Sequence, residues 1–251
     1  MKTFQDWCIR MLAVAFMGKD RLLVAGESGK MEKGYDYVIC NALLGQYPQI
    51  YTYNGRNFSF YDVDYHKKEL RGKSIWKNLL CSKAAADAAS RLELGNDSLK
   101  KFKKGNKDYP YYEHIEPRSY TFDRIMGAQD VGIDVIKESL RHSKLVMLTT
   151  EEAAQLDGAG KRFVDEDVDL VKSWKDVIGD KEAEEAVNSM KKGGSWLWPK
   201  SSGSAYARIA HLINKGVELS WGKSNVDPKA VNDIRVIKEY LDSNDWTVRE
   251  F

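Results

Sequence analysis

The sequence predicts an α+β protein on three observations. Polarity alternates in Ile50-Tyr51-Thr52-Tyr53 and in Asn57-Phe58-Ser59-Phe60-Tyr61, on either side of Asn54-Gly55, a dipeptide that accepts the positive φ angles of a tight hairpin. Phe4, Trp7, Cys8, Met11, Leu12 and Ala15 recur at helical spacing, which predicts an amphipathic helix from Thr3 to Met17 with those residues on its inner face. The apolar run from Leu145 to Leu148 leads into Thr149-Thr150-Glu151-Glu152. Either threonine can cap a helix, and the carboxylates favour the positive end of its dipole.

The remaining elements follow in chain order. Residues 19–34 are punctuated by glycines and charges, and the apolar stretch from Tyr35 to Leu44 fits a buried strand or a buried helix equally well. Lys73 to Leu94 is rich in alanine and ends at Gly95-Asn96, which predicts one helix. Tyr111 to His114 is a short extended run closed by Pro117, followed by a loop through Gly127 and a helix from Asp130 to His142. The last third predicts helices at 168–192 with a break at Gly179, at 204–215, and at 228–241 with Asp227 as cap and Pro228 in the first turn. Trp196 and Trp198 flank Leu197 and are expected to seal a core edge rather than form a binding surface, because large aromatics are mostly buried. No repeat of 20 to 50 residues recurs.

Composition narrows the function classes. Thirty-nine basic and 37 acidic residues leave a net charge of +2, so any affinity for a polyanion must be local. The run Lys100-Lys101-Phe102-Lys103-Lys104-Gly105-Asn106-Lys107 is the local candidate: lysines pair with phosphates and the ring can stack on a base. Cys8, Cys40 and Cys81 are too far apart and too few for a disulfide framework or a thiolate zinc site. No apolar run is long enough to span a bilayer and no signal peptide is evident, so the expectation is a cytoplasmic protein with no membrane partner.

Glu113-His114-Ile115-Glu116-Pro117 joins a carboxylate, which can hold a cation, to an imidazole, which can take a proton from water. Residues 112–157 resemble the HNH nuclease family, whose fold sets two strands and a helix around one metal ion. The first strand there carries Glu-His-Ile-x-Pro, matched by residues 113–117, and Lys144-Leu-Val-Met-Leu-Thr-Thr-Glu-Glu-Ala153 follows the rhythm of the second strand and helix. The resemblance implies three segments: an N-terminal α+β region with the hairpin (1–95), an HNH-like strand-helix-strand-helix module (96–160) and a helical C-terminal region (161–251). It implies a metal-dependent nuclease with His114 as general base and Glu113 as ligand to a divalent metal ion, Mg or Mn. Lys101, Lys103, Lys104 and Arg118 would contact phosphate, and nucleic acid would be the partner. Lys144 stands where the family has an Asn that orients the base, and Ala153 where it has a helical ligand. Asp157, one turn further and on the same face, is expected to supply that ligand.

Two other readings stand beside this one. A scaffold that has lost its helical ligand at Ala153 could bind a protein or a nucleic acid without catalysis. Leu22 to Gly29 contains Glu27-Ser28-Gly29 and resembles the lysozyme-like lytic transglycosylases, which implies glycan cleavage with Glu27 as acid. Asp62, Asp64 and His66 alternate and would share one strand face, a solvated hairpin side or a metal face. Arg208 and His211 are helical neighbours on an expected polar face, and His142 is expected at a helix C-terminus.

Overall fold

The computed structural model describes residues 3–17, 23–25, 31–33, 35–60, 73–93, 106–157, 165–191, 204–247 and 249–250. Strands are β1 (Leu23–Ala25), β2 (Met31–Lys33), β3 (Ile50–Tyr53), β4 (Arg56–Ser59), β5 (Leu80–Ser82), β6 (Pro110–His114), β7 (Leu145–Thr149) and β8 (Leu219–Trp221). Helices are α1 (Phe4–Met17), α2 (Tyr35–Gln46), α3 (Lys83–Glu93), α4 (Arg118–Gly127), α5 (Ile133–Ser139), α6 (Thr150–Asp157), α7 (Asp165–Ser173), α8 (Lys175–Ile178), α9 (Asp180–Lys191), α10 (Ser204–Asn214) and α11 (Ile234–Asp242). The class is α+β, as the sequence predicts.

Four strands form the central sheet in the order β6-β7-β5-β8. β7 runs antiparallel to β6, with Pro110 opposite Thr149 and His114 opposite Leu145, and parallel to β5. β8 closes the far edge antiparallel to β5. Every residue of β5 and β7 is buried, which is why both read as unbroken apolar or small-residue runs. Helices α3 and α6 pack on β6 and β7, and α10 packs on α6, α7 and α9. The sheet takes β5 from before residue 95 and β8 from after residue 160, so all three segments of the chain contribute to one core.

A second apolar cluster joins α1 and α2 to α4 and α5. The inner face of α1 is Cys8, Ile9, Leu12, Ala13 and Phe16, whereas Trp7 and Met11 are exposed. This corrects the expected face: α1 is apolar nearly all round, so spacing alone cannot say which stripe is covered. The ambiguous Tyr35 stretch is helical, and the hairpin turns at Asn54 and Gly55, both at positive φ. All three cysteines are buried thiols, none of them in a disulfide.

Three further expectations are corrected. The stretch 73–94 is a 3-10 turn at Ile75–Asn78, strand β5, and then α3, whose first turn is capped where the Ala85 N–H donates to the Ser82 hydroxyl at 3.1 Å. A three-residue strand is too short to show alternation beside an alanine-rich helix. The loop after Pro117 is helix α4; its Ser, Tyr, Thr, Phe and Asp have weak helix propensity, and burial of Tyr120, Phe122 and Ile125 stabilises it instead. The last helix begins at Ile234, capped by Asp233, because Asp227-Pro228 forms a turn and Asn232 sits at φ +55. Asn232 also holds the unforeseen strand β8, exchanging bonds of 2.8 Å with Leu219.

Candidate functional site

Side chains alternate across a strand, so on β6 Tyr112 and His114 share one face and Tyr111 and Glu113 the other. Tyr112 is buried and Tyr111 exposed. Beyond His114 the pairing continues for one bond, Ile115 N–H to the Lys144 carbonyl at 2.9 Å, before Pro117 opens α4. The chain is therefore fixed on both sides of the Glu113-His114 pair.

Glu113 Oε1 lies 3.1 Å from Arg208 Nη2, and the same nitrogen is 3.4 Å from the His114 carbonyl oxygen. Arg208 is 2% exposed, so this guanidinium is almost entirely shut off from water. His114 Nε2 faces the Gly45 carbonyl of α2 at 3.4 Å. A carbonyl only accepts, so Nε2 carries the hydrogen and the basic lone pair resides on Nδ1. Burial pushes the imidazole down to about 4; the Gly45 bond opposes that shift, and the charges of Arg118 and Arg208 add to it. At neutral pH the ring is uncharged.

Arg118 opens α4 as an exposed residue whose side chain lies over Gly45. A Cβ on residue 45 would stand 2.7 Å from Arg118 Nη1, so glycine permits this approach. Around His114 the fold thus gathers a backbone acceptor from α2, one guanidinium from α4 and one from α10.

Glu116 has a different task. It is 1% exposed, pairs with Arg124 through two bonds of 2.7 and 2.6 Å, and accepts from the Thr121 hydroxyl at 3.3 Å. This clamp fixes the turn at Pro117 to α4.

The residues around the second strand are committed as well. Glu152 and Thr149 form a reciprocal capping box: Thr149 N–H donates to Glu152 Oε2 at 2.8 Å and Glu152 N–H to Thr149 Oγ1 at 3.2 Å. Of the two threonines expected as cap, Thr149 is the one used, while the Thr150 hydroxyl donates to the Tyr109 carbonyl. Ala153 lies in the core beside Leu156. The Lys144 side chain turns away from His114 to Ser243 and Trp246. Asp157 ends α6, and its side chain lies outside the described residues. So do Lys101, Lys103, Lys104, Glu27, Asp62, Asp64, His66, Trp196 and Trp198.

The expected polar face of α10 is corrected: residues 205–212 are all buried. His211 Nδ1 sits 2.9 Å from Asp167 Oδ2, and Asn214 donates to Asp167 Oδ1 at 2.8 Å. His142 follows α5, buried, with its ring edge-on to Tyr206.

The sequence reading overlooked Gly45 as the partner of His114 and Arg208 as the partner of Glu113. The signal for Arg208 was present: a lone arginine within Ala205-Tyr206-Ala207-Arg208-Ile209-Ala210 needs a carboxylate if the helix is buried. Gly45 carried none, since its contribution is a carbonyl every residue has.

No family model matches the chain, and no curated protein or solved structure matches it. Among the described residues, no three His, Cys, Asp or Glu side chains come together as a metal's donor set. Glu113 is engaged by Arg208, so the described groups do not fit a divalent cation, and none enters the chemistry that follows.

Proposed function

We propose that the protein is a nuclease that hydrolyses phosphodiester bonds, with His114 as general base. The observation that carries this reading is the buried His114 imidazole whose Nε2 faces the Gly45 carbonyl at 3.4 Å, near enough to Arg118 and Arg208 for their charges to disfavour its protonation. Two features support it. β6 and β7 pair antiparallel with α4 and α5 between them in the chain, and β7 leads directly into α6, which packs on both strands, an arrangement compatible with the strand-helix-strand-helix module that the HNH resemblance implies. The Gly45 carbonyl orients the ring, the task an Asn has in that family and Lys144 cannot perform here.

In this reading Arg118 receives the phosphate, and Lys101, Lys103 and Lys104 extend the contact along the backbone. A phosphate beside His114 offsets the two guanidinium charges and raises the affinity of Nδ1 for a proton as a bound water attacks phosphorus. Arg118 then faces the charge that grows on the phosphoryl oxygens. Arg208 holds Glu113 and the His114 carbonyl, and so keeps the strand end in register.

A second reading, a non-catalytic binder of nucleic acid or protein on the same scaffold, is favoured by Ala153 lying in the core and by the Glu113–Arg208 pair. Incubating the protein with plasmid DNA and structured RNA, with and without added Mg²⁺ or Mn²⁺, separates the two. Strand cleavage supports the nuclease, and retention on nucleic acid without cleavage supports the binder. Among the described residues no helix is long and apolar enough to cross a membrane.

A further inference from the structure

His114 and Arg118 reach one residue from two elements. His114 Nε2 faces the Gly45 carbonyl at 3.4 Å, and Arg118 Nη1 lies 2.7 Å from the place a Cβ on Gly45 would take. The ring on β6 and the guanidinium on α4 are therefore neighbours at one turn of α2. His114 keeps a part of its surface exposed and Arg118 is exposed, so a ligand can reach both. Arg208 is paired with Glu113 and Arg124 with Glu116, whereas among the described residues no carboxylate pairs with Arg118.

A phosphodiester placed here meets one base and one cation. Glu113, the carboxylate beside the base, is taken by Arg208, so the described donors do not fit a Lewis acid that would acidify an attacking water. A single imidazole then works best on a hydroxyl already held beside phosphorus. Ribose supplies one, because its 2′-hydroxyl adjoins the 3′-phosphate within the same molecule. Well-oriented intramolecular attack has an effective concentration of about 10⁵ M or more over a separate reactant. DNA lacks this group.

We propose that the substrate is RNA and that the attacking oxygen is its own 2′-hydroxyl, an inference that rests on the nuclease reading above. His114 Nδ1 takes the 2′ proton, the 2′ oxygen bonds to phosphorus, and the bond from phosphorus to the 5′ oxygen breaks with its electron pair on that oxygen. The leaving oxygen takes a proton from solvent, and His114 returns its own to solvent. The products are a 2′,3′-cyclic phosphate and a 5′-hydroxyl, with no redox change. Arg118 faces the non-bridging oxygens, where negative charge grows. Water, with His114 again as base, then opens the cyclic phosphate and completes the hydrolysis.

The test is to incubate the whole chain with a mixed-sequence RNA, with the same RNA 2′-O-methylated throughout, and with DNA of the same sequence, each in EDTA and in Mg²⁺, and to read the new ends by mass spectrometry. Only the unmethylated RNA should be cut, in EDTA as well as in Mg²⁺. Its new ends should be a 5′-hydroxyl opposite a 2′,3′-cyclic phosphate or the opened monoester, one water heavier. His114→Gln should lower the rate by about 10²-fold or more. Arg118→Met, at an exposed position, should lower kcat/KM with the fold intact. Cleavage of DNA or of the methylated RNA, cleavage only with Mg²⁺, or 5′-phosphate ends would overturn the inference and leave a nuclease. No cleavage of any of the three, or equal cleavage by wild type and both variants, would overturn it together with the nuclease reading.

Discussion

Arg208 Nη2 and Glu113 Oε1 meet at 3.1 Å across 95 residues, tying helix α10 to the edge strand that carries His114. Arg208 is the more deeply buried partner, with 2% side-chain exposure against 13% for Glu113. Removing the carboxylate therefore takes the charged partner from a buried guanidinium, while removing the guanidinium leaves a carboxylate closer to water. Glu113→Ala should cost about 3 kcal/mol and Arg208→Met less, read from urea unfolding midpoints. Equal losses, or none, would mean the pair is not buried as described.

The Glu116 clamp gives a sharper case, because it lies within the same pentapeptide as the candidate base and does no chemistry in this account. Glu116→Ala should lower stability by about 3 kcal/mol, since Arg124 keeps its charge without its two-bond partner. Glu116→Gln should recover part of that. Thermal unfolding of the two variants beside wild type is the check.

Helix α6 depends on its capping box. Thr149→Ala should cost about 1 kcal/mol. Glu152→Ala should cost more, because Glu152 Oε2 also accepts from the Ser82 hydroxyl at 2.5 Å and so links α6 to the end of β5. Chemical denaturation measures both, and a smaller loss for Glu152→Ala would contradict the link.

His114 supplies a pH dependence of definite sign. Its folded value of about 4 lies below the 6.5 of a free imidazole, so the unfolded chain binds the extra proton first as pH falls. The ring costs the fold nothing above pH 6.5, and the penalty grows to at most roughly 3 kcal/mol once pH is below about 4. His114→Gln should remove that part of the acid slope. Parallel stability–pH curves for wild type and variant would contradict the burial of the ring.

How much of this was legible beforehand depends on the range of the interactions. The hairpin at Asn54-Gly55, helix α1, strand β7 and the Thr149 cap are set by neighbours within a few residues, and each is readable from spacing or turn chemistry. Strands β5 and β8 have three residues apiece and exist because they pair with β7 and with each other, which no local pattern records. The pentapeptide Glu113 to Pro117 is legible as a cluster of polar side chains on one short run. Its division of labour was not readable, because Glu113, His114 and Glu116 are each held by partners from separate elements: Arg208, Gly45 and Arg124. Buried polar groups must find partners, but the sequence does not say which.

The most direct measurement is cleavage of nucleic acid by wild type and by His114→Ala, at equal concentration and after circular dichroism has shown equal folding. The account predicts cleavage by wild type and a loss of about 10²-fold or more in the variant, the range expected for removing a general base. The kcat/KM of wild type should hold its value down toward pH 4, where the free imidazole of the folded protein takes up its proton. Equal cleavage by the two proteins, or no cleavage by wild type on any substrate, would contradict the assignment of His114 as the base.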